Sequence, residues 1–590
     1  MEKYYTSEKH TQILIALMKF HGIKKIVASP GTTNVCLVGS LQQDPYFEIY
    51  SSVDERSAAF IACGLAAESG EPVALTCTGS TASRNYVPGL TEAFYRKLPV
   101  LAITATQHLG RVGNGYGQVL DRSQQMKDLV KESVLVDCVY TPEDEWACGV
   151  SINKALIALR KNGGGPVHIN LVTTYSKDFS IRALPKVKGI HYTDNLKNMP
   201  KIETGKKVAI LVGVHRKWSS ELTQAVEDFC KAYNAVVLMN HACNYKGDFG
   251  VNHAIMVYMQ QYISPNLNAD IVIYIGSIAR YASGIINPNC VMWRVSPDGE
   301  IWDSERKLTH VFNMEETDFF RYYADLQKDE MDNIQENTFA KALQEEYESI
   351  IVQTPELPFS NVFIAQNTIG KLPDNCVFHV AGSNTARAWN FFKLPKSVEC
   401  YSNDGTMGID GQVSALIGES LASPERLHFG VVGDLTFFYD MNSIGNRHVL
   451  NNLRLLVVNN GKGAEFKIYT HPASEWGSET EKFMAAAGHY GNKSTELIKH
   501  YAQDLGYEYL SANNKEEYLK NVNRFLTSEI TERPIIFEVF TDSTDESKAI
   551  YEMNHIVSSV EGKAVYFAKD MIKSLAGEKG IEKVKAFLKH

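Results

Sequence analysis

The chain has 590 residues, which is too long for one hydrophobic core and predicts several domains. Its 59 basic and 68 acidic residues give a net charge of −9, and the lack of a basic block interleaved with aromatics argues against a nucleic-acid partner. The first ten residues are charged where a signal peptide would be apolar, and no stretch has about 18 uninterrupted apolar residues, so we expect a cytoplasmic protein without a membrane span. The 10 cysteines are scattered without a Cys-x-x-Cys pair, which predicts reduced, mostly buried thiols.

Residues 1–180 alternate helix and strand patterns, which is typical of a parallel α/β sheet. A helix is expected at 7–21 and strands at 25–29, 72–77, 100–104 and Val167–Val172. The small residues 78–83 follow a strand and open a helix, so they either admit a ligand to the backbone or form an ordinary loop.

Glu55 lies where a short strand gives way to an Ala-rich helix, a position at the carboxyl edge of the predicted sheet. Open α/β folds hold their ligands at this edge, so Glu55 is a candidate site residue. The alternative is that Asp54 and Glu55 form an acidic pair favoured by the helix dipole, and local spacing alone favours this alternative.

Residues 173–205 are polar and predict a linker, and residues 205–335 predict a second α/β domain. Its first strand, Val208–Val212, is not followed by a Gly-x-Gly-x-x-Gly motif, so a structural role is favoured over nucleotide or flavin binding.

The third predicted domain covers residues 355–560 and contains two strands that end in oxygen-bearing residues. Gly433-Asp434 ends one strand and Asn459-Asn460 ends the next, and Asp434 and Asn460 are 26 positions apart, which leaves room for a connecting helix. A carboxylate, an amide oxygen and backbone carbonyls suit a magnesium ion that keeps diphosphate oxygens in its shell. The Gly- and Asp-rich segment 401–411 predicts a site loop, and 561–590 a C-terminal helical tail.

These segments, taken together, resemble the thiamine diphosphate enzymes of the decarboxylase and acetolactate synthase superfamily. Within it the chain is most similar to the SEPHCHC synthase family, the carboligases of menaquinone biosynthesis. The segments that carry the resemblance run almost from end to end: Ser29-Pro30-Gly31, Asp54-Glu55-Arg56, Gly165-Pro166-Val167-His168-Ile169-Asn170, Gly408-Ile409-Asp410-Gly411, Gly433-Asp434-Leu435 and Val457-Val458-Asn459-Asn460.

The resemblance implies an α/β fold of three doubly wound parallel-sheet domains, which are pyrimidine-binding, central and diphosphate-binding. It implies that Glu55 shares a proton with the pyrimidine of thiamine diphosphate, and burial beside Val53 and Phe60 is expected to raise its pKa. Met407 or Ile409 is the expected wedge that bends the cofactor, and ordinary core packing is the alternative for each. The sites implied by the resemblance are catalytic Glu55, His108 and Gln118; cofactor-binding Pro30, Gly31, Glu55, Thr78, Ser383, Asn384, Met407, Ile409, Gly433, Asp434, Leu435 and Asn460; and the Mg²⁺ ligands Asp434, Asn460 and Lys462, the last through its carbonyl.

Because the superfamily builds its site from two subunits, the resemblance also implies a homodimer or homotetramer with sites at the subunit interface. The partners expected are a small-molecule 2-oxo acid and an acceptor, with no nucleic acid and no membrane.

The resemblance breaks at three positions where the family has arginines for its anionic substrates. These positions hold Thr33, Gln107 and Asp404 here, whereas Arg387 stays in register. Arg84 could serve a different acid or could be an ordinary surface residue. Since bidentate arginine contacts to carboxylates are strong, we expect isochorismate and 2-oxoglutarate to be poor substrates.

Four functions remain open at this point. The chain predicts a carboligase that decarboxylates a 2-oxo acid and transfers the enamine or acyl unit to an acceptor. The alternatives are a simple 2-oxo acid decarboxylase or SEPHCHC synthase itself, and a non-catalytic cofactor-binding subunit, which the presence of Glu55, Asp434 and Asn460 disfavours.

Overall fold

The computed structural model describes residues 3–279, 285, 287, 289–327 and 336–568. These residues form two compact units, the described parts of 1–193 with 300–311 and the described parts of 194–299 with 312–590. The predicted C-terminal tail lies outside the described residues from position 569 onward. The α/β fold with three parallel sheets is confirmed. The predicted domain boundaries stay predictions, because the second unit contains both the second and the third sheet.

The first unit is built on a six-stranded, all-parallel sheet with helices on both faces. Its strands are β1 (Lys25–Ala28), β2 (Glu48–Ser51), β3 (Val73–Cys77), β4 (Val100–Thr106), β5 (Ser133–Val136) and β6 (Val167–Val172). Its helices are α1 (Lys9–Phe20), α2 (Val35–Leu41), α3 (Glu55–Ser69), α4 (Thr81–Arg84), α5 (Val87–Arg96) and α6 (Pro142–Ala158). The strand order is β2-β1-β3-β4-β6-β5.

Alternation along β3 explains why helices cover both faces of this sheet. Val73 and Leu75 pack in a core with α3 and α5, whereas Ala74 between them packs in a second core with α1 and α6. All residues of β3, β4 and β6 are buried, as central parallel strands require.

The prediction that 173–205 is only a linker is wrong in part. A short strand, β7 (His191–Thr193), forms there, and Ile190 before it is buried. Leu184 and Val187 pack against the core of the first unit, so burial of apolar residues overrides the polar composition of the segment.

The second unit begins with the middle sheet, whose strands in this unit are parallel. Its elements are β8 (Val208–Val212), α7 (Ser220–Tyr233), β9 (Val236–Met239), β10 (Gly250–Asn252), α8 (Ala254–Tyr258), β11 (Ile271–Ile275) and β12 (Val291–Val295). The order is β10-β9-β8-β11-β12. The chain continues through β13 (Leu308–Phe312), α9 (Glu316–Leu326) and α10 (Thr338–Ile351).

The third sheet is six-stranded and all parallel. Its strands are β14 (Val377–Val380), β15 (Glu399–Tyr401), β16 (His428–Gly433), β17 (Leu453–Asn459), β18 (Glu508–Ala512) and β19 (Ile535–Phe540). Its helices are α11 (Asn361–Thr368), α12 (Asn384–Trp389), α13 (Gln412–Ala422), α14 (Asp434–Asp440), α15 (Thr480–Phe483), α16 (Leu497–Asp504), α17 (Lys515–Phe525) and α18 (Ser543–Asn554). The order β15-β14-β16-β17-β19-β18 repeats that of the first sheet, which confirms that the two sheets share one architecture.

All ten cysteines are free, and nine of them are buried. No helix in the described part of the chain has both the length and the apolar composition that a membrane crossing needs.

Candidate functional site

The strand ends of the first sheet place several predicted site residues along one edge. Ala28 of β1 pairs with Ser51 of β2 and with Thr76 of β3, and Cys77 pairs with Thr104 of β4. Because all these strands are parallel, the segments that follow them leave the sheet at the same carboxyl edge. These segments carry Pro30-Gly31, Glu55, Thr78 and Gln107-His108, as the sequence predicted.

Gly31 and Thr78 are packed against each other across this edge. A Cβ atom on Gly31 would lie 2.2 Å from the Cβ atom of Thr78, so only glycine fits there. Thr33 joins the same cluster, since its Oγ1 lies 2.7 Å from Thr78 Oγ1 and accepts a hydrogen bond of 3.0 Å from the Gly79 backbone N–H. Thr33, at the first position where the family has an arginine, is therefore a buried structural residue of the turn.

Glu55 is the first residue of α3 and is half-buried. The capping is done by Asp54, whose Oδ1 accepts a 2.7 Å hydrogen bond from the Ser57 N–H. Glu55 lies in the first turn of the helix, where the helix dipole favours an acidic residue, so the alternative of an acidic pair at the helix end stays open. The expectation that Val53 and Phe60 bury Glu55 is wrong within this chain, because their side chains are 79% and 46% exposed.

His108 and Gln118 both lie in the exposed loop after β4. His108 accepts a 3.1 Å hydrogen bond from the Gly110 N–H through Nδ1, and Gln118 has a left-handed backbone with φ 60°. Its loop is anchored by Arg122, a buried arginine that sequence reasoning missed. The Arg122 guanidinium donates to Asn170 Oδ1 at 3.1 Å, Ser83 Oγ at 2.9 Å and Ala105 O at 3.0 Å, which ties the loop to the ends of β4 and β6.

Arg84 and Gln107 contact residues of the same loop. Arg84 is exposed and donates a 3.0 Å hydrogen bond to the Asp121 carbonyl. Gln107 accepts a hydrogen bond from Arg111, whose guanidinium lies 4.9 Å from the centre of the Tyr116 ring.

In the third sheet, Asp434 and Asn460 meet at the carboxyl ends of neighbouring strands. Gly433 of β16 pairs with Val458 of β17, and Asp434 opens α14 directly after β16. The Asp434 carboxylate is buried and accepts hydrogen bonds from the backbone N–H groups of Leu435 and Asn460. Burial nevertheless raises its pKa to about 7, with those hydrogen bonds acting in the opposite direction.

This pair fits a divalent cation. Among the described residues, the buried Oδ1 atom of Asn460 has no hydrogen-bond partner, which is costly unless a further group binds it. A cation would also offset the burial of the Asp434 charge. The Lys462 side chain pairs with Glu481 at 2.8 Å, so only its carbonyl remains as the predicted ligand. No cluster of three His, Cys, Asp or Glu residues that could hold a metal occurs in the described parts of the chain.

The site loop predicted at 401–411 is wrong at Tyr401, which is the last residue of β15, but residues 402–411 contain no helix or strand and hold both wedge candidates. Met407 has a left-handed backbone with φ 56° and is 46% exposed, while Ile409 is half-buried. Core packing therefore does not explain Met407, and a non-glycine residue in this conformation is held there by its surroundings.

A buried histidine, His379 at the end of β14, anchors this loop and was missed in the sequence. His379 Nδ1 lies 2.9 Å from Glu419 Oε1, and Nε2 lies 2.9 Å from Gln412 Oε1. The Gln412 amide nitrogen donates to the Gly408 carbonyl at 2.8 Å, so its oxygen faces His379 and must accept. With an acceptor at each ring nitrogen, the imidazole is held in its protonated form.

Burial alone would lower the pKa of His379, but the hydrogen bond and charge of Glu419, the bond to Gln412 and the charge of Asp404 together raise it. Asp404, at another position where the family has an arginine, is itself buried and accepts a 2.8 Å hydrogen bond from Ser402. It is a buried counter-charge of His379, which explains why an acidic residue stands there.

We expect His379 to keep its proton at a pH above about 6.5, the ordinary value for histidine. Since its pKa is raised on folding, its contribution to stability is complete below about pH 6.5 and is lost as pH rises through the folded-state pKa. Exchange of the imidazole C2 hydrogen, followed by mass spectrometry over a pH series, measures this pKa directly.

Two controls accompany the measurement. Asp404→Asn should lower the pKa of His379 by removing a favourable charge. His428, a buried histidine of the adjacent strand β16, should titrate below its ordinary pKa because burial dominates there. A His379 pKa at or below that of His428 would contradict the protonated assignment.

Ser383 ends the turn after β14, Asn384 and Arg387 lie in α12, and Arg387 is already paired with an acid. Its Nη2 donates to Glu465 Oε1 at 2.8 Å and its Nη1 to Glu465 Oε2 at 3.2 Å. Ser383 Oγ donates to the same Oε2 at 3.1 Å, and Asn384 Oδ1 lies 3.4 Å from Arg387 Nη1. Glu465 follows Asn460 by five positions in an irregular turn, and nothing in the local pattern of the sequence marks it.

The structure therefore brings the predicted residues together in two groups, one in each unit. The first contains Gly31, Thr33, Thr78 and the start of α3. The second contains Asp434 and Asn460 at the ends of β16 and β17, next to the β14 turn that carries Ser383.

The comparisons with known proteins agree with the cofactor that these residues indicated. Residues 8–127 match the family described as thiamine pyrophosphate enzyme, N-terminal TPP binding domain. The chain is 32% identical over 578 residues to the 2-succinyl-5-enolpyruvyl-6-hydroxy-3-cyclohexene-1-carboxylate (SEPHCHC) synthase of Bacteroides fragilis, covering 93% of this chain and 99% of that protein. It is 30% identical to the SEPHCHC synthase of Bacteroides thetaiotaomicron, with the same coverage of each chain. Among solved structures it is similar to the thiamine diphosphate-dependent 4-hydroxybenzoylformate decarboxylase of Rhodococcus jostii RHA1, with a TM-score of 0.40 and 14% identity over 90% of this chain and 99% of that one.

Proposed function

This chain belongs to the SEPHCHC synthase family of thiamine diphosphate-dependent enzymes, and on that premise we propose that it is a magnesium-dependent carboligase. It decarboxylates a 2-oxo acid and transfers the acyl unit to an acceptor. The observation that carries the proposal is the buried Asp434 carboxylate meeting Asn460, whose own side-chain oxygen has no partner among the described residues.

Asp434, the Asn460 side-chain oxygen and the Lys462 carbonyl hold magnesium against the cofactor's diphosphate. Hard oxygen donors of this kind suit Mg²⁺, which keeps phosphate oxygens among its ligands. Gly31 lets the turn after β1 pack closely against Thr78 at the edge of the first sheet, and Ser383 and Asn384 contribute polar groups after β14.

When bound, thiamine diphosphate would supply the electron sink for decarboxylation of the 2-oxo acid. The Glu55 carboxyl holds a proton at the pyrimidine N1′ atom. Gln118 and His108, on their exposed loop, orient the substrate. Met407 supports the bend of the cofactor from the loop that His379 anchors.

A second copy of the chain completes each site in this proposal. Glu55 needs a dry environment to share a proton, and Val53, Phe60 and Ile61 around it are exposed apolar side chains. A homodimer or homotetramer covers this surface and surrounds Glu55 with the apolar residues that the single chain leaves open.

SEPHCHC synthase activity itself is the second candidate. It is favoured by the identity to the Bacteroides proteins over nearly the whole chain. The carboligase proposal differs from it only in the choice of substrates, because Thr33, Gln107 and Asp404 lack the positive charges that those substrates need.

The proposal predicts turnover of at least one 2-oxo acid that depends on thiamine diphosphate and Mg²⁺. A panel of 2-oxo acids, with and without aldehyde or enone acceptors, is incubated with the loaded protein and read by mass spectrometry. We expect loss of carbon dioxide, an adduct mass when a suitable acceptor is present, and loss of both when a chelator removes Mg²⁺. The proposed function is wrong if no 2-oxo acid is consumed.

Calorimetry of cofactor binding tests the magnesium site independently of turnover. Chelator-treated protein should bind thiamine diphosphate only after Mg²⁺ is added, and Asp434→Asn should weaken that Mg²⁺-dependent binding. Asp504→Asn, the same change at an exposed position at the end of α16, should bind as the wild type does. Tight binding of the cofactor without a divalent cation would contradict the magnesium site.

A further inference from the structure

We propose that Glu465 sets the substrate specificity of the site by neutralising Arg387, so that the acceptor docking there is an uncharged carbonyl or enone compound and not a carboxylate. This inference rests on the proposed carboligase function and specifies its acceptor class. It concerns a contact made within the second unit, between the turn after β14 and the turn after β17.

The Arg387 and Glu465 side chains form a two-pronged ion pair. The pair of hydrogen bonds, 2.8 and 3.2 Å long, is the fork geometry in which a guanidinium binds a carboxylate most strongly. The Ser383 hydroxyl adds a third donor to the same carboxylate at 3.1 Å. The carboxylate of Glu465 thus takes the place that a substrate carboxylate would take at Arg387.

The ion pair is partly shielded from water, so the neutralisation of the Arg387 charge by Glu465 affects the binding of a charged ligand. The side chains of Arg387 and Glu465 are 20% and 26% exposed. Burial alone would lower the pKa of Arg387, but the hydrogen bond and charge of Glu465 raise it above its ordinary value. The guanidinium therefore keeps its charge, and Glu465 balances that charge.

The two lysines nearest Glu465 in the turn after β17 are also paired. Lys462 and Lys467 lie 2.8 and 3.3 Å from the same oxygen of Glu481. An incoming carboxylate would have to displace Glu465 from Arg387 and leave it beside a like charge. An uncharged acceptor meets neither cost and can accept a hydrogen bond from the side-chain amide of Asn384.

The test is a binding comparison that requires no turnover. Succinate and its uncharged analogue succinamide are titrated by calorimetry into the protein loaded with thiamine diphosphate and Mg²⁺. Glu465→Gln keeps the shape of the side chain but frees the charge of Arg387, so it should bind succinate roughly 10- to 100-fold more tightly than the wild type does. Succinamide should bind equally to both.

Two variants test whether the gain in succinate affinity comes from the Arg387–Glu465 ion pair. The double variant Glu465→Gln with Arg387→Met should lose the gain, because it removes the cation that succinate binds. Glu479→Gln removes a negative charge from a residue that pairs with Lys482 and not with Arg387. This variant should bind succinate as the wild type does. Equal succinate affinity in wild type and Glu465→Gln, or a gain that persists without Arg387, would overturn the inference. Absence of any carboligation in the substrate screen would instead overturn the proposed function.

Discussion

Glu55→Gln should bind thiamine diphosphate as the wild type does and lose turnover by about 10²- to 10⁴-fold, the usual contribution of a positioned proton-transfer group. Glutamine has the shape and size of glutamate, so the half-buried start of α3 keeps its packing. The glutamine amide can form hydrogen bonds but is neither acidic nor basic enough to exchange a proton with the pyrimidine N1′ atom, so only the proton sharing of Glu55 is removed.

Calorimetry of cofactor binding and turnover of the best 2-oxo acid from the screen measure the two effects separately. Asp54→Asn is the matched control, since it removes a carboxylate from the adjacent position. Asparagine caps helices as well as aspartate does, so the bond to the Ser57 N–H and the start of α3 survive. Turnover of Glu55→Gln within a few-fold of wild type would remove Glu55 from the catalytic site.

The parts of this structure that the sequence predicted are those set by local patterns and by their order along the chain. The buried strands Val167–Val172 and Val208–Val212 have the predicted bounds, because continuous apolar runs between turn residues specify them. The edge positions of Glu55, Asp434 and Asn460 followed from parallel strands ending in polar residues. The alternation of strands and helices predicted parallel sheets, but not the strand order that the first and third sheets share.

The parts that escaped prediction depend on contacts between distant residues. Glu465 lies 78 positions from Arg387, and no local periodicity links an irregular turn to the helix after β14. His379 is an ordinary strand residue until Glu419 and Gln412 fold onto it. The burial expected for Glu55 failed for a similar reason, because Val53 and Phe60 are apolar in sequence but face outward in the single chain.

Incubation of the loaded protein with isochorismate and 2-oxoglutarate should give little or no SEPHCHC adduct. The donor half of the reaction needs the cofactor and Glu55, both of which the chain supports. The acceptor carries carboxylates, and each charge-assisted contact that is lost costs about 1.5–3 kcal/mol. Loss of three such contacts without replacement weakens transition-state binding by several orders of magnitude.

The structure shows which groups contact the residues at the three positions where the family has an arginine. Thr33 is bound to Thr78 and Gly79, and Asp404 is a buried counter-charge of His379. Gln107 lies next to an exposed cation, since it accepts a hydrogen bond from Arg111.

The adduct is followed by mass spectrometry, with the best substrate pair from the screen as a positive control for the same preparation. Turnover of roughly 1 per second or more, which is ordinary for an enzyme, would show that other cations replace the missing arginines. Arg111→Met would then identify the replacement: a large loss of SEPHCHC formation with little change for an uncharged acceptor would assign the role to Arg111. If such turnover is absent, the residues at four positions explain it. Thr33, Gln107 and Asp404 carry no positive charge, and Arg387 is already paired with Glu465. The chain is then a family member whose acceptor carries no carboxylate.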